Sequence, residues 1–196
     1  MKIETKKIYS NLADLVKKVK KGDSEAFSEL YSATYQKMYF FALSLSKNEQ
    51  LALDIVQDAY ILVIQNLVSL KDESMFIAWF NRIVYTTSMK YLKNENKCIM
   101  LDPTVVDTIA TNEDGMDPLA KVVKDEEAKL MLTCIGKLTP KLKAVIILKY
   151  YEMMKEKEIA KALEIPIGTV KSRLKEAKNK LKKMIEEEEV DLDEKF

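Results

Sequence analysis

The sequence predicts an all-α fold made of two small helical modules joined by a long, flexible acidic linker. Three observations predict it. Gly and Pro number four each among 196 residues, so tight turns are scarce. Apolar residues make up 47% and charged residues 32%, rich in Leu, Ala, Lys, Glu and Met, which favours a folded core built from helices over strands or disorder. Helical spacing of apolar residues then holds over two long stretches and fails between them for roughly 25 residues, too many for an ordinary connection inside one domain.

The first predicted helix opens after Gly22, where Asp23 or Ser24 can cap the exposed N–H groups of a first turn. Phe27, Leu30, Tyr31, Met38, Tyr39 and Ala42 follow at spacings of three, four and seven. Asn48 is the cap expected for the second helix, with Leu51, Ile55, Ala59 and Leu62 on one face. Its far end, from Ile61 to Ile64, is apolar all round, which predicts burial. A polar break, Lys71-Asp72-Glu73-Ser74, precedes a third helix from about Met75 to Leu92, with Phe76, Phe80, Ile83 and Val84 on its apolar side. Three long helices with short connections make a bundle.

Pro103, Gly115 and Pro118 punctuate the linker. Helical pattern resumes near Glu126, and Leu138-Thr139-Pro140 supplies a stop, a cap and a first-turn proline. A helix through Leu142, Val145, Ile146 and Lys149 runs to about Met153, a short one covers 156–163, and the last runs from about Thr169 to Glu186. The expected boundaries are a first module at 1–96, the linker at 97–125, a second module at 126–185 and an acidic tail at 186–196.

Composition also excludes chemistry. With no histidine, and with Cys98 and Cys134 far apart, histidine triads, His-bearing zinc sites and disulfide scaffolds have no support. No metal and no cofactor is expected. A reducing cytoplasm is the expected location, because no secretory h-region opens the chain and no run approaches the ~20 apolar residues of a membrane span.

The net charge of +1 hides a strong segregation. Residues 1–97 hold 14 basic and 11 acidic side chains, 98–127 hold 2 and 8, 128–185 hold 15 and 5, and 186–196 hold 1 and 7. A basic segment between two acidic ones points to a polyanionic partner for that segment.

Within it, the run from Glu158 to Leu174 reads as a helix-turn-helix. Ile159, Ala160 and Leu163 face inward from the first helix, with Ala160 small where two helices cross; Ile165 plugs the turn, and Val170 and Leu174 line the second helix. Its outer face carries Lys171, Ser172, Arg173, Lys175 and Lys178, and between Thr169 and Lys183 there are seven basic residues against Glu176 alone. A recognition helix needs this arrangement: short polar and basic groups at its N-terminal end for base edges, with flanking cations for phosphates. Arg173 can bond guanine with two hydrogen bonds, whereas the lysines add attraction that is blind to sequence.

The chain resembles the extracytoplasmic-function group of bacterial sigma factors, which carry a promoter −10 module and a −35 module. The resemblance rests on Ile165-Pro166-Ile167-Gly168-Thr169-Val170-Lys171-Ser172-Arg173-Leu174, on Leu30-Tyr31, on Asp54-Ile55-Val56-Gln57-Asp58-Ala59-Tyr60 and on Phe76-Ile77-Ala78-Trp79-Phe80-Asn81-Arg82-Ile83. It covers most of residues 22–185. It implies an initiation factor and not an enzyme, with core RNA polymerase (its clamp helices and flap) and promoter DNA as partners. An anti-sigma protein is a further expected partner, and direct membrane insertion is not expected.

The resemblance also implies roles. Asp54, Gln57 and Asp58 fall where the family clasps the polymerase; Arg82, Lys90 and Lys93 would hold phosphates of a melted −10 strand, with Tyr85 and Tyr91 stacking on its bases. Trp79 fits a packing position. Thr169, Lys171, Ser172, Arg173, Lys175 and Lys178 would read the −35 element. The acidic linker would either mimic nucleic acid in a polymerase channel or act as a plain tether. The acidic tail would either solvate the end of the chain or fold back on the basic helix.

The chain departs from the family at several points. Tyr85-Thr86 and then Lys90 stand where an Arg-Asn pair and Asp are common, which bears on −10 preference. Met153 and Lys155 replace a usual Gly and Ser, and Glu164 takes a turn position where Gly is frequent. Two rivals make different predictions. A stand-alone regulator would use the helix-turn-helix without needing the Asp54–Asp58 run or the long acidic linker, and a helical transferase or nuclease would bind a divalent ion at Asp54 and Asp58, which lack a second carboxylate pair or a phosphate-binding glycine loop.

Overall fold

The computed structural model describes residues 12–101 and 126–193, with side chains at 12–94 and 130–187, and every regular element among them is helical. The chain opens with α1 (residues 12–19), which sequence periodicity did not reveal. Leu12, Leu15 and Val16 bury one side of it. A left-handed turn at Gly22, φ 88°, then admits α2 (Ser24–Ser46). Of the two possible caps Asp23 is the one used, its carboxylate accepting the Ala26 N–H at 3.0 Å.

Asn48 caps α3 (Glu49–Asn66) as expected, accepting the Leu51 N–H at 2.9 Å. The loop beyond it, with short turns at Leu67–Ser69 and Glu73–Met75, is tied back to α1's C-terminal side. There the Lys20 ammonium donates to the Leu70 carbonyl and to Glu73 Oε1. α4 (Phe76–Leu101) runs longer than the expected end near Leu92 and enters the stretch expected to be linker. The rest of that linker, 102–125, lies outside the described residues.

These four helices close over Phe41, Phe76, Phe80, Met38, Ile55 and Val63, all fully buried. Each such side chain contributes roughly 1.5–3 kcal/mol of transfer free energy. Tyr60 meets Phe80 edge-on at 4.9 Å, and its hydroxyl lies 2.8 Å from that of Thr34 inside the bundle. Burial raises the Tyr60 phenol well above its ordinary value, and the Thr34 bond opposes this in part.

The expectation that Ile61–Ile64 would be buried all round is corrected. Only Val63 is buried, and Ile61, Leu62 and Ile64 face outward, so Leu62 is not on the inner face with Leu51, Ile55 and Ala59. Residues 49–69 are long and apolar enough to cross a membrane, with a mean hydropathy of 1.5. Leu51, Ile55, Val56, Ala59 and Val63 instead pack into the bundle, as in a core helix.

The second group begins with α5 (Glu126–Lys137) and α6 (Pro140–Ile146), which widens into a π-helical turn over Ile147–Tyr151. Pro140 starts α6, while Thr139 contributes only its backbone, its carbonyl accepting the Lys143 N–H at 2.9 Å. α7 (Glu156–Leu163) lacks a hydroxyl cap, and Glu158 serves instead by accepting the Lys155 N–H at 2.6 Å. α8 (Ile167–Asp193) is one continuous helix. Cys134, Leu138, Val145, Leu148, Ile159 and Val170 make this group's core.

The two groups touch. α7 lies along α4, α6 approaches α2, and the Phe40 ring stacks on Tyr151 at 4.2 Å.

Candidate polymerase and nucleic-acid surfaces

α7 and α8 form the helix-turn-helix. The turn depends on Glu164, left-handed at φ 52° and ψ 44°, and on the Ile165 N–H bonding back to the Ala160 carbonyl at 3.1 Å. Ile159, Leu163, Val170 and Leu174 bury as the pattern predicts. Ala162 is fully buried, and Ala160, expected at the helix crossing, is partly covered and packs against the core.

All six residues expected to read a −35 element stand on the first three turns of α8. Lys171, Ser172, Lys175 and Lys178 are exposed, and Thr169 and Arg173 are half-buried. The Ser172 hydroxyl donates to the Thr169 carbonyl at 3.0 Å, and one guanidinium nitrogen of Arg173, Nη1, is enclosed with no hydrogen-bond partner among the described residues. Lys178 lies 5.6 Å from the centre of the Tyr150 ring. A side-chain bond with Tyr150, first, and the charge of Tyr150 with it, raise its ammonium above its usual range. The lysines at 171, 175 and 178 recur at spacings of four and three, so they follow one line along the helix.

The −10 candidates on α4 do not all share a face. At 100° per residue Tyr85, Lys90 and Lys93 each lie within about 80° of Arg82's line, across an arc of roughly 140° in all, while Tyr91 is roughly 180° away from Arg82. Lys90 and Lys93 are exposed and Tyr85 is half-buried. Arg82 is not free in this arrangement, because its Nη2 pairs with Glu164 Oε1 at 2.6 Å. Tyr91 turns toward α3, where its hydroxyl donates to Asp58 Oδ2 at 2.8 Å. That bond, ahead of burial and of the charges of Asp58 and Asp54, raises the Tyr91 phenol. Trp79 is half-buried beside Phe76 and packs on the core.

Asp54, Gln57 and Asp58 follow one side of α3, with Asp54 and Asp58 half-buried and Gln57 exposed. That side continues into apolar side chains left in the open, including Ile61, Ile64 at 59% exposure and Val68 at 78%. Positions 54, 57, 61 and 64 of α3 repeat every three or four residues, with Asp58 beside them, so the carboxylates, Gln57 and the aliphatic groups form one stripe that Val68 extends in the short turn beyond the helix. Sequence reading missed this apolar half, since a helix apolar all round can be buried in its own core or in a partner's. Among the described residues no group of three or more His, Cys, Asp or Glu could hold a metal ion.

The family model described as Sigma-70, region 4 matches residues 128–181, which span nearly all of α5, α6, the π-helical turn, α7 and the first half of α8. The ECF RNA polymerase sigma factor SigW of Bacillus subtilis is 31% identical over 176 residues, 87% of this chain and 94% of its own length. The ECF RNA polymerase sigma-E factor of Haemophilus influenzae is 28% identical over 179 residues, 88% of this chain and 94% of its own. Two solved structures share the fold. The sigma factor RpoE in complex with the anti-sigma factor NepR from Bartonella quintana has a TM-score of 0.70 at 20% identity, covering 82% of this chain and 96% of that one. CnrH in complex with the cytosolic domain of CnrY has a TM-score of 0.65 at 19% identity, covering 89% and 97%.

Proposed function

The chain belongs to the extracytoplasmic-function family of RNA polymerase sigma factors, which bind core polymerase and direct promoter-specific initiation, and we propose how its residues divide that work. The first module, α1 to α4, joins the polymerase and captures the melted −10 strand. The second, α5 to α8, reads the −35 duplex. The chain catalyses nothing itself and works in the cytoplasm beside the polymerase it directs.

The observation that carries this reading is the stripe on α3. A solvent-facing row of Ile61, Ile64 and Val68 costs solubility unless a partner covers it, and Asp54, Gln57 and Asp58 beside it suit a basic partner. The polymerase clamp helices are the partner we assign to it, and the flap is assigned to the second module. Tyr91 positions the Asp58 carboxylate for that contact instead of stacking on a base. The strand then falls to Arg82, Tyr85, Lys90 and Lys93, three cations for phosphates and one ring for a base.

For the duplex, Thr169, Ser172 and Arg173 stand at the groove end of α8, with Lys171, Lys175 and Lys178 spaced along a phosphate track. RpoE and CnrH were each solved with a protein partner, an anti-sigma factor in the case of RpoE. We extend that pairing to this chain, restrained by an anti-sigma protein of its own.

Transcription in vitro from a fragmented genomic library, with core polymerase and with or without this protein, tests the assignment. New start sites sharing spaced −35 and −10 sequences are expected, and a variant with Ile64→Lys should lose them while still binding duplex DNA. No new starts, together with polymerase-independent DNA binding, would instead describe a stand-alone regulator.

A further inference from the structure

The helix assigned to the −35 duplex carries one acid among its bases. Between Thr169 and Lys183 seven basic residues stand with Glu176 alone, about two turns into α8. A carboxylate there works against a polyanionic partner, because it repels every phosphate that the lysines attract. Nor does the core require it. Glu176 is exposed, while Val170, Leu174, Ala177 and Leu181 form the buried side of the helix. Its carboxylate meets the Lys180 ammonium at 3.0 Å, with both side chains about half exposed, at 53% and 48%. A pair so open to water is a weak tie that a ligand can exchange.

Helical phase shows which side of α8 the carboxylate serves. At 100° per residue Glu176 lies within about 60° of Thr169, Ser172 and Arg173. From Lys171, Lys175 and Lys178 it is turned away by roughly 100–160°. It therefore shares the sector assigned above to base edges and not the line of lysines assigned to phosphates. The other acid–lysine pairs of α8, Lys182 with Glu186 and Lys183 with Glu187, lie beyond that sector's turns. Within the sector Arg173 supplies only donors and Glu176 only acceptors.

The chemistry of the base edges narrows what an acceptor can take. In the major groove guanine shows two acceptors and thymine one, all of which repel a carboxylate. Adenine offers an amino group, but with the N7 acceptor beside it. Cytosine offers an amino donor and no acceptor on its own edge.

We propose that Glu176 is a specificity-determining residue of the −35 contact, accepting a hydrogen bond from the amino group of a cytosine. The assignment rests on the sigma-factor reading, which supplies the duplex. In the free protein Lys180 holds the carboxylate. On the duplex Glu176 weakens sequence-blind attraction and adds discrimination at one base pair.

The test uses holoenzyme made from core polymerase and the full chain. It is presented with a promoter recovered by genomic transcription, its −35 block randomised, and the retained fragments are sequenced. One position of the block should favour cytosine on one strand by roughly five- to tenfold over the other bases. Glu176→Ala should level that position and leave the others unchanged. Glu176→Gln should turn the same position toward adenine, whose N6 and N7 an amide meets with two hydrogen bonds. A role confined to helix stability moves no base preference in that way. Base frequencies indifferent to both substitutions, or retention changed equally at every position, would overturn the assignment and leave the sigma reading intact. Absence of any polymerase-dependent start site would overturn the sigma reading and this assignment with it.

Discussion

The two helices assigned to DNA, α4 and α8, hold their polar groups in opposite ways. On α4 and its neighbours polar groups are tied to a neighbouring helix or to the second group: Tyr91 to Asp58, Tyr60 to Thr34, Arg82 to Glu164. On α8 the buried face is aliphatic and the lysines stand outside it, with Lys178 resting on Tyr150. The first surface is a matter of geometry, set by a core that orients each group. The second is a matter of charge, displayed on a helix that any aliphatic core would support. Substitutions on the first should therefore act through shape and stability, and on the second through salt-dependent affinity.

The sharpest break in that contrast is Phe80→Ala. Phe80 is fully buried against Tyr60 and Phe76, and its loss should destabilise the first module by about 3–5 kcal/mol in denaturant unfolding. Arg173→Ala should leave stability unchanged yet remove about 1–3 kcal/mol of discrimination at a single −35 base pair, read by competition between duplexes. A weak, uniform loss at every base would move Arg173 from base reader to phosphate contact.

Alkaline unfolding separates the modules in another way. The folded state raises the Tyr60 phenol above its unfolded value, so the unfolded chain releases its proton first as pH rises. Stability contributed by Tyr60 is present below about pH 10 and falls above it, by up to about 1.4 kcal/mol per pH unit. Tyr60→Phe should flatten that slope, and an unchanged slope would show the hydroxyl to be wet. Tyr91→Phe should cost about 1 kcal/mol in affinity for core polymerase and nothing in oligo-dT binding, by titration of each. The opposite pattern would return Tyr91 to the strand. Smallest of all, Lys175→Ala should lower the salt dependence of duplex binding by about one counterion, with no change in base preference.

What the sequence made legible follows the same division. Caps and period located α2 and α3, because Asp23 and Asn48 sit where first-turn N–H groups need an acceptor. The basic face of α8 was legible because charge on a helix surface needs no knowledge of what lies behind it. α1 escaped notice since Leu12, Leu15 and Val16 are too few apolar positions to set a period on their own. The outward turn of Ile61 and Ile64 was illegible for a different reason: patterning shows that an apolar group will be covered, not by which molecule. Tyr91 was assigned from its residue type, and the phase of a long helix, a matter of geometry, sent it to Asp58. The joint between modules pairs residues tens of positions apart, such as Lys37 with Glu152, and no local signal announces that.

The unbroken course of α8 joins the start of the acidic tail directly to the basic helix. The helix continuing to Asp193 carries Glu186 to Glu189 on from the basic turns, with Glu186 and Glu187 pairing to Lys182 and Lys183 a turn behind. The result is a rod about 40 Å long with a cationic head and an anionic foot. On the proposed reading a duplex would attract the head and repel the foot.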